Sequence, residues 1–199
     1  MASRKNPYAK PDHFTRAAKG AGFPARSVFK LEEIDRRVRL LRGGMRVLDL
    51  GAAPGSWSLY AAQRIGQSGR LLAIDRQPMG VSLPPQATIL QGDAFDISND
   101  ALAALAPYDV VLSDMAPNTT GSRVTDQARS FELFMHALAV ADRLSVKGAS
   151  FVGKLFMSDD LRAARAELKR LYATERLIRP DGTRTGSMEI FLVGTQKRE

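Results

Sequence analysis

A chain of 199 residues with 44% apolar residues suits one α/β domain whose core needs no covalent staples. It has no cysteine and only two histidines, His13 and His136, which excludes disulfides and thiolate metal sites and leads us to expect no bound metal. The net charge of +8 lies wholly in residues 1–46, where 12 Lys/Arg face 4 Asp/Glu; the rest of the chain cancels at 17 of each sign.

The basic stretch "KPDHFTRAAKGAGFPARSVFKLEEIDRRVRLLR" interleaves Phe14, Phe23 and Phe29 among its cations. That is the footprint of a polyanion-binding surface, with a solvated basic face as the plainer alternative. A helix is predicted over 26–40. No apolar run approaches the roughly 18 residues of a membrane helix, and "MASRKNPYAK" lacks a signal-peptide core, so a soluble cytoplasmic protein with no membrane attachment is expected.

Next comes "VLDLGAAPGSW", a predicted strand (46–50) that runs through a Gly/Ala/Pro turn into a predicted helix (55–65). A dinucleotide loop would need glycine at the third and sixth places from Gly51, where Ala53 and Ser56 stand. The other phosphate loop would need Gly-Lys-Ser/Thr, yet Ser56 and Trp57 follow Gly55. A ligand without phosphates, carrying an adenosine and a charged amino-acid end, fits this turn better, and S-adenosylmethionine is such a ligand. Further strands are predicted at 70–75, 87–91, 108–113, 149–155, 175–179 and 188–194. Helices are predicted at 98–105, 124–146 and 159–172. The 124–146 helix bears an apolar stripe through Phe131, Phe134, Leu138 and Ala141, and His136 on it is read as a structural or surface residue. This alternation predicts a doubly wound, mostly parallel seven-stranded sheet with helices on both faces. A basic N-terminal extension (1–45) would precede a single globular domain (46–199).

Three aspartates close successive strands: Asp75 after "RLLAI", Asp93 after "ATILQG" and Asp114 after "YDVVLS". Parallel strands present their carboxyl ends along one edge, so these carboxylates are expected to line one crevice with the Gly51 to Gly55 turn. There one can accept from ribose hydroxyls, one from an adenine amino group, and one can face a sulfonium cation. Lys154 in "FVGKLF" is flanked by apolar residues, which a strand-end lysine with a snorkelling chain would also explain. Lys30 reads as surface charge on a basic helix, Glu189 as a protective charge on a probable edge strand, and Trp57 as either core or a crevice contact. The polar loop 116–127 is a candidate lid or RNA-contacting loop, with an ordinary crossover loop as the plainer alternative.

The segments "PARSVFKLEEID", "VLDLGAAPGSWS", "QGD", "SDMAPNTTG", "FVGKLF" and "SMEIFLVG" occur in that order from residue 25 to 194. In them the chain closely resembles the RrmJ/FtsJ family of S-adenosylmethionine-dependent RNA ribose 2'-O-methyltransferases. The resemblance implies a Rossmann-like class I methyltransferase fold. It implies a catalytic tetrad at Lys30, Asp114, Lys154 and Glu189, and cofactor contacts at Gly55, Trp57, Asp75, Asp93 and Asp114. Gly153 stands where many members carry a bulkier apolar residue, and Met188 where a basic one is frequent. The implied substrate is RNA, with DNA excluded because only RNA has the acceptor hydroxyl. The compact bacterial branch, suggested by the short chain, methylates a uridine ribose in the A loop of 23S rRNA within the 50S subunit. A tRNA anticodon loop and a non-catalytic ribosome-assembly factor are the competing readings. A monomer is the expected state.

Overall fold

Val47 to Leu50 are consecutive buried residues, the pattern of a strand covered on both faces, and they form β1 (Arg46–Leu50) at the centre of the molecule. The computed structural model describes residues 12–184 and 186–199; the first eleven residues of the chain, and Thr185, lie outside them. Before β1 come α1 (His13–Gly20) and α2 (Val28–Val38). After it run α3 (Ser56–Ile65), β2 (Arg70–Asp75), β3 (Ala87–Gln91), α4 (Asn99–Leu102), β4 (Tyr108–Ser113) and α5 (Arg123–Leu144). The chain ends with β5 (Ser145–Phe156), α6 (Leu161–Leu171), β6 (Tyr172–Ile178) and β7 (Glu189–Lys197).

The seven strands form one sheet in the order β3-β2-β1-β4-β5-β7-β6. β1 pairs in parallel with both β2 and β4, so the winding reverses between β1 and β4, and a crevice opens at their carboxyl ends. β7 runs antiparallel to both β5 and β6. It is an interior strand: the expectation that Glu189 lies on an edge is corrected here, and β6 and β3 form the edges. One face of the sheet packs Leu48, Leu50, Val111 and Phe151 against Phe134 and Leu138 of α5. The other packs Val47, Val110, Leu112 and Phe191 against Leu31 and Ile34 of α2 and Trp57 and Ala61 of α3. Half of the basic N-terminal helix is therefore core.

α1 is a helix that the sequence reading leaves out. Its cue is short: Asp12 caps it by accepting from the Thr15 amide at 2.8 Å, and the run reaches Gly20 only eight residues later. α2 closes at Arg39, which adopts a left-handed conformation (φ 54°) while the Asp35 carboxylate accepts from the Leu41 amide at 2.9 Å. α4 is shorter than the predicted 98–105, because the Leu102 carbonyl accepts from the Tyr108 hydroxyl at 2.6 Å and Pro107 follows closely. β5 begins four residues before its predicted start, with a register shift against β4 between Tyr108 and Val110.

Candidate active site

The turn after β1 is held tightly against its neighbours. Gly51 has φ 76°, and a Cβ there would lie 2.7 Å from Met115 Cγ and 2.8 Å from the Met115 backbone nitrogen. Only glycine permits that approach between the ends of β1 and β4. The Ala53 amide donates to Asp75 Oδ2 at 2.9 Å, and the Gln77 amide to Asp75 Oδ1 at 2.7 Å. The Gly92 amide reaches the Asp75 carbonyl at 2.8 Å, joining the ends of β2 and β3. Together these strand ends enclose a cavity of about 390 Å³, lined among others by Gly51, Ala53, Asp75, Asp93, Asp114 and Lys154. Its volume falls in the range of small-molecule and cofactor sites.

Two ion pairs stand beside this cavity. Lys154 is buried; its Nζ donates to the Asp114 carbonyl at 2.5 Å and to Asp114 Oδ1 at 3.1 Å. Lys30 Nζ, from α2, pairs with Glu189 Oε1 at the start of β7, and its cation lies 5.9 Å from the Phe191 ring centre. Lys154 is opposite Phe191 in the β5–β7 ladder, and Phe156 opposite Glu189, so Lys154, Phe191 and Glu189 project from one face of the sheet. The four residues that the resemblance names as a tetrad are thus gathered from α2, β5, β7 and the end of β4. Gly153 leaves no gap beneath Lys154, because the Phe134 and Phe151 rings occupy the space a side chain would take.

Gly55 and Trp57 are placed differently from the three aspartates. Gly55 (φ 108°) precedes α3, and the Trp57 ring is buried, its Nε1 donating to the Ser27 carbonyl at 2.9 Å and its centre 5.5 Å from that of Phe191. The indole therefore fastens the segment ahead of α2 to α3 and the sheet, and neither Gly55 nor Trp57 lines the cavity. Asp49 lies one layer below. Burial pushes its carboxyl up to about 7, the Ser58 hydroxyl donating at 2.6 Å opposes that rise, and the nearby Asp114 and Asp75 add to it. The loop at 116–127 is tied to α5, with the Thr120 amide donating to Asp126 Oδ1 at 2.8 Å. That bond holds the Asp126 carboxyl below its usual range.

Sequence reasoning missed the part played by the β6–β7 loop. The Asp181 amide donates to Glu33 Oε2 at 2.8 Å, and the Arg26 guanidinium to the Gly182 carbonyl at 2.5 Å. Burial, and then the charge of Arg184, hold the Arg26 guanidinium below its usual range while Glu189 opposes them. The C-terminal cation Arg184 thus joins the N-terminal Arg26 near Glu189. No local pattern could have revealed this, since the partners are about 150 residues apart. Phe95, Met115 and Leu133 also line the cavity without having been singled out.

The profile of the FtsJ-like methyltransferase family matches residues 23–197. Over 194 residues the chain is 65% identical to a Ribosomal RNA large subunit methyltransferase E of Sorangium cellulosum, covering 98% of this chain and 92% of that protein. Over 185 residues it is 52% identical to a protein of the same name from Nitratidesulfovibrio vulgaris (strain DSM 19637 / Miyazaki F), covering 92% of each. A crystal structure of a ribosomal RNA methyltransferase from Plasmodium falciparum superposes with a TM-score of 0.75 at 21% identity. It covers 88% of this chain and 98% of its own, and shares the fold. A mostly parallel sheet and matches along nearly the whole chain have one common explanation: the protein belongs to the FtsJ-like methyltransferase family.

Proposed function

We propose that the protein transfers a methyl group from S-adenosylmethionine to the ribose 2'-hydroxyl of a uridine in the A loop of 23S rRNA, acting as a cytoplasmic monomer on the 50S subunit. The observation that carries this reading is the pairing of Lys154 with Asp114 and of Lys30 with Glu189 beside a cavity walled by three strand-end aspartates. The residues present suit the cofactor. Asp75 would accept from its ribose hydroxyls and Asp93 from its adenine amino group, while Asp114 would face its cationic centre. Trp57 would act through the main chain that opens α3, where a helix N-terminus suits a carboxylate, and Gly55 by permitting the left-handed turn (φ 108°) ahead of it. When bound, S-adenosylmethionine supplies an electrophilic methyl group carried on a sulfonium.

The chain's own task is to align the acceptor oxygen, and orientation of this kind lowers a barrier by at most ~7–11 kcal/mol. An ammonium donates three hydrogen bonds; two from Lys154 go to Asp114, and the third is available to the acceptor hydroxyl. Lys154 then turns an oxygen lone pair toward the methyl, and the hydroxyl proton leaves to solvent as the new bond forms. Lys30 and Glu189 hold the ribose and the β7 side of the site. In this scheme the single-turnover rate is level between pH 6 and 9. A rate climbing tenfold per pH unit would instead make Lys154 the proton acceptor.

The basic N-terminal region, read as an RNA-contacting extension to the catalytic domain, would grip phosphates flanking a nucleotide drawn out of its stack. The large-subunit names of the two relatives favour a large-subunit substrate. The test is transfer of radiolabelled methyl to 50S particles lacking the modification, with tRNA and the Lys154→Ala protein run in parallel. Label at a 2'-O-methyluridine of 23S rRNA, lost in the variant, is the expected result. Label on tRNA, or none on any RNA, would overturn the substrate or the activity respectively.

A further inference from the structure

His136 lies one helical turn beyond Leu133, which lines the cavity, and its ring stacks on Phe95 with centres 4.0 Å apart and planes 24° apart. Its Nε2 donates to the Ala94 carbonyl at 2.9 Å. Phe95 is half exposed, and its ring borders the same cavity as Asp93. A lone exposed phenylalanine needs no explanation on a protein surface. This one is held from two sides. The Phe95 amide donates to Asp93 Oδ1 at 3.0 Å, and the amides of Asp96 and Ile97 both donate to the Asp93 carbonyl. The carboxylate and the aromatic ring are therefore parts of one braced turn, and α5 supports that turn through His136 alone among the hydrogen bonds described.

We infer that Phe95 is the aromatic wall of the purine subsite, and that His136 is the positioning residue that holds this wall upright. The inference rests on the methyltransferase reading, because it takes the ligand to be an adenosyl compound. A purine whose amino group meets Asp93 lies beside Phe95, an exposed aromatic ring that borders the cavity. Stacking there would cover the ring's free face, while the imidazole covers the other. The pairing links two segments, the β3–α4 turn and the middle of α5, that neither charge nor apolar periodicity connects.

The test uses the full chain, with dissociation constants for S-adenosylmethionine and S-adenosylhomocysteine measured by calorimetry and steady-state constants measured on 50S particles. Phe95→Ala is expected to weaken both ligands about tenfold, in line with the loss of one base–aromatic stack. Its KM for S-adenosylmethionine rises, while kcat at saturation and KM for 50S hold. Phe95→Tyr restores affinity to near the starting value. His136→Ala gives the same pattern at smaller size, and His136→Phe, which keeps a ring behind Phe95, recovers most of the loss. Wild-type protein that binds both ligands alongside a Phe95→Ala protein that binds them equally well overturns this inference and leaves the methyltransferase reading standing. A rise in KM for 50S with unchanged cofactor affinity also overturns it, since the ring would then serve an RNA base. Wild-type protein that binds neither ligand overturns both readings together.

Discussion

Asp49 shows what a single residue contributes beneath the turn that follows β1. In an unfolded chain its carboxyl titrates near ~3.9, and in the folded protein burial carries it to about 7. Between those values the folded state keeps a proton that the unfolded state has released. Its contribution to stability therefore falls as pH rises from about 4 to about 7 and is level above that. Asp49→Asn retains an oxygen for the Ser58 hydroxyl but cannot ionise. The melting temperature of the variant relative to wild type is expected to climb across that window, and a difference that stays constant would refute the assignment. Gly153 acts by being small. A Cβ there would sit 2.7 Å from both Phe134 and Phe151, so Gly153→Val should cost about 1–3 kcal/mol in a denaturant titration. It should also lower methyl transfer by displacing Lys154. A variant as stable as the parent would mean that the two rings can part.

Elements carry the site through their mutual docking. α2 brings Lys30 to Glu189 because Leu31 and Ile34 are in the core and the Trp57 indole donates to Ser27 just ahead of the helix. The β6–β7 loop is latched to α2 through Glu33 and to the segment before it through Arg26, which places the start of β7 and its Glu189. Glu33→Ala removes the acceptor of the Asp181 amide, and a hydrogen bond to a charged group contributes ~1.5–3 kcal/mol. Hydrogen exchange at Asp181 should accelerate by about tenfold or more, with methyl transfer reduced, whereas Glu33→Gln should recover much of both. Unchanged exchange at Asp181 in the alanine variant would show that the latch lies elsewhere. At this scale the strands were easy to read in the sequence, since the central ones are short, mostly apolar runs bounded by turn residues. α1 was not, because eight residues and one cap give too little periodicity to detect.

For the molecule as a whole, charge is unevenly distributed, and the proposed RNA contact is predicted from it. The excess of +8 belongs to the first 46 residues, and the folded chain adds Arg184 beside Arg26 from the far end of the sequence. Affinity for RNA is expected to fall by about a thousandfold or more between roughly 50 and 200 mM salt if six or more phosphates are contacted. Replacing the exposed Arg16 and Lys19 of α1 with glutamine should reduce the logarithmic salt slope by about two, with S-adenosylmethionine binding unaltered. An unchanged slope would remove α1 from the RNA surface.

Sequence alone determined the class of fold and the strand-end aspartates. Both are written in local order: an apolar run closed by Asp needs only its neighbours in the chain, and parallel pairing then aligns such ends along one edge. Tertiary structure alone decided which charges meet. Lys30 finds Glu189 across 159 residues, and Lys154 finds Asp114 across 40, because strand order and helix docking set those distances. It also turned the Trp57 indole into the core, filled the space above Gly153 with two phenylalanines, and set His136 behind Phe95. Side-chain direction depends on what packs against it, and that is a property of the folded neighbourhood rather than of spacing along the chain.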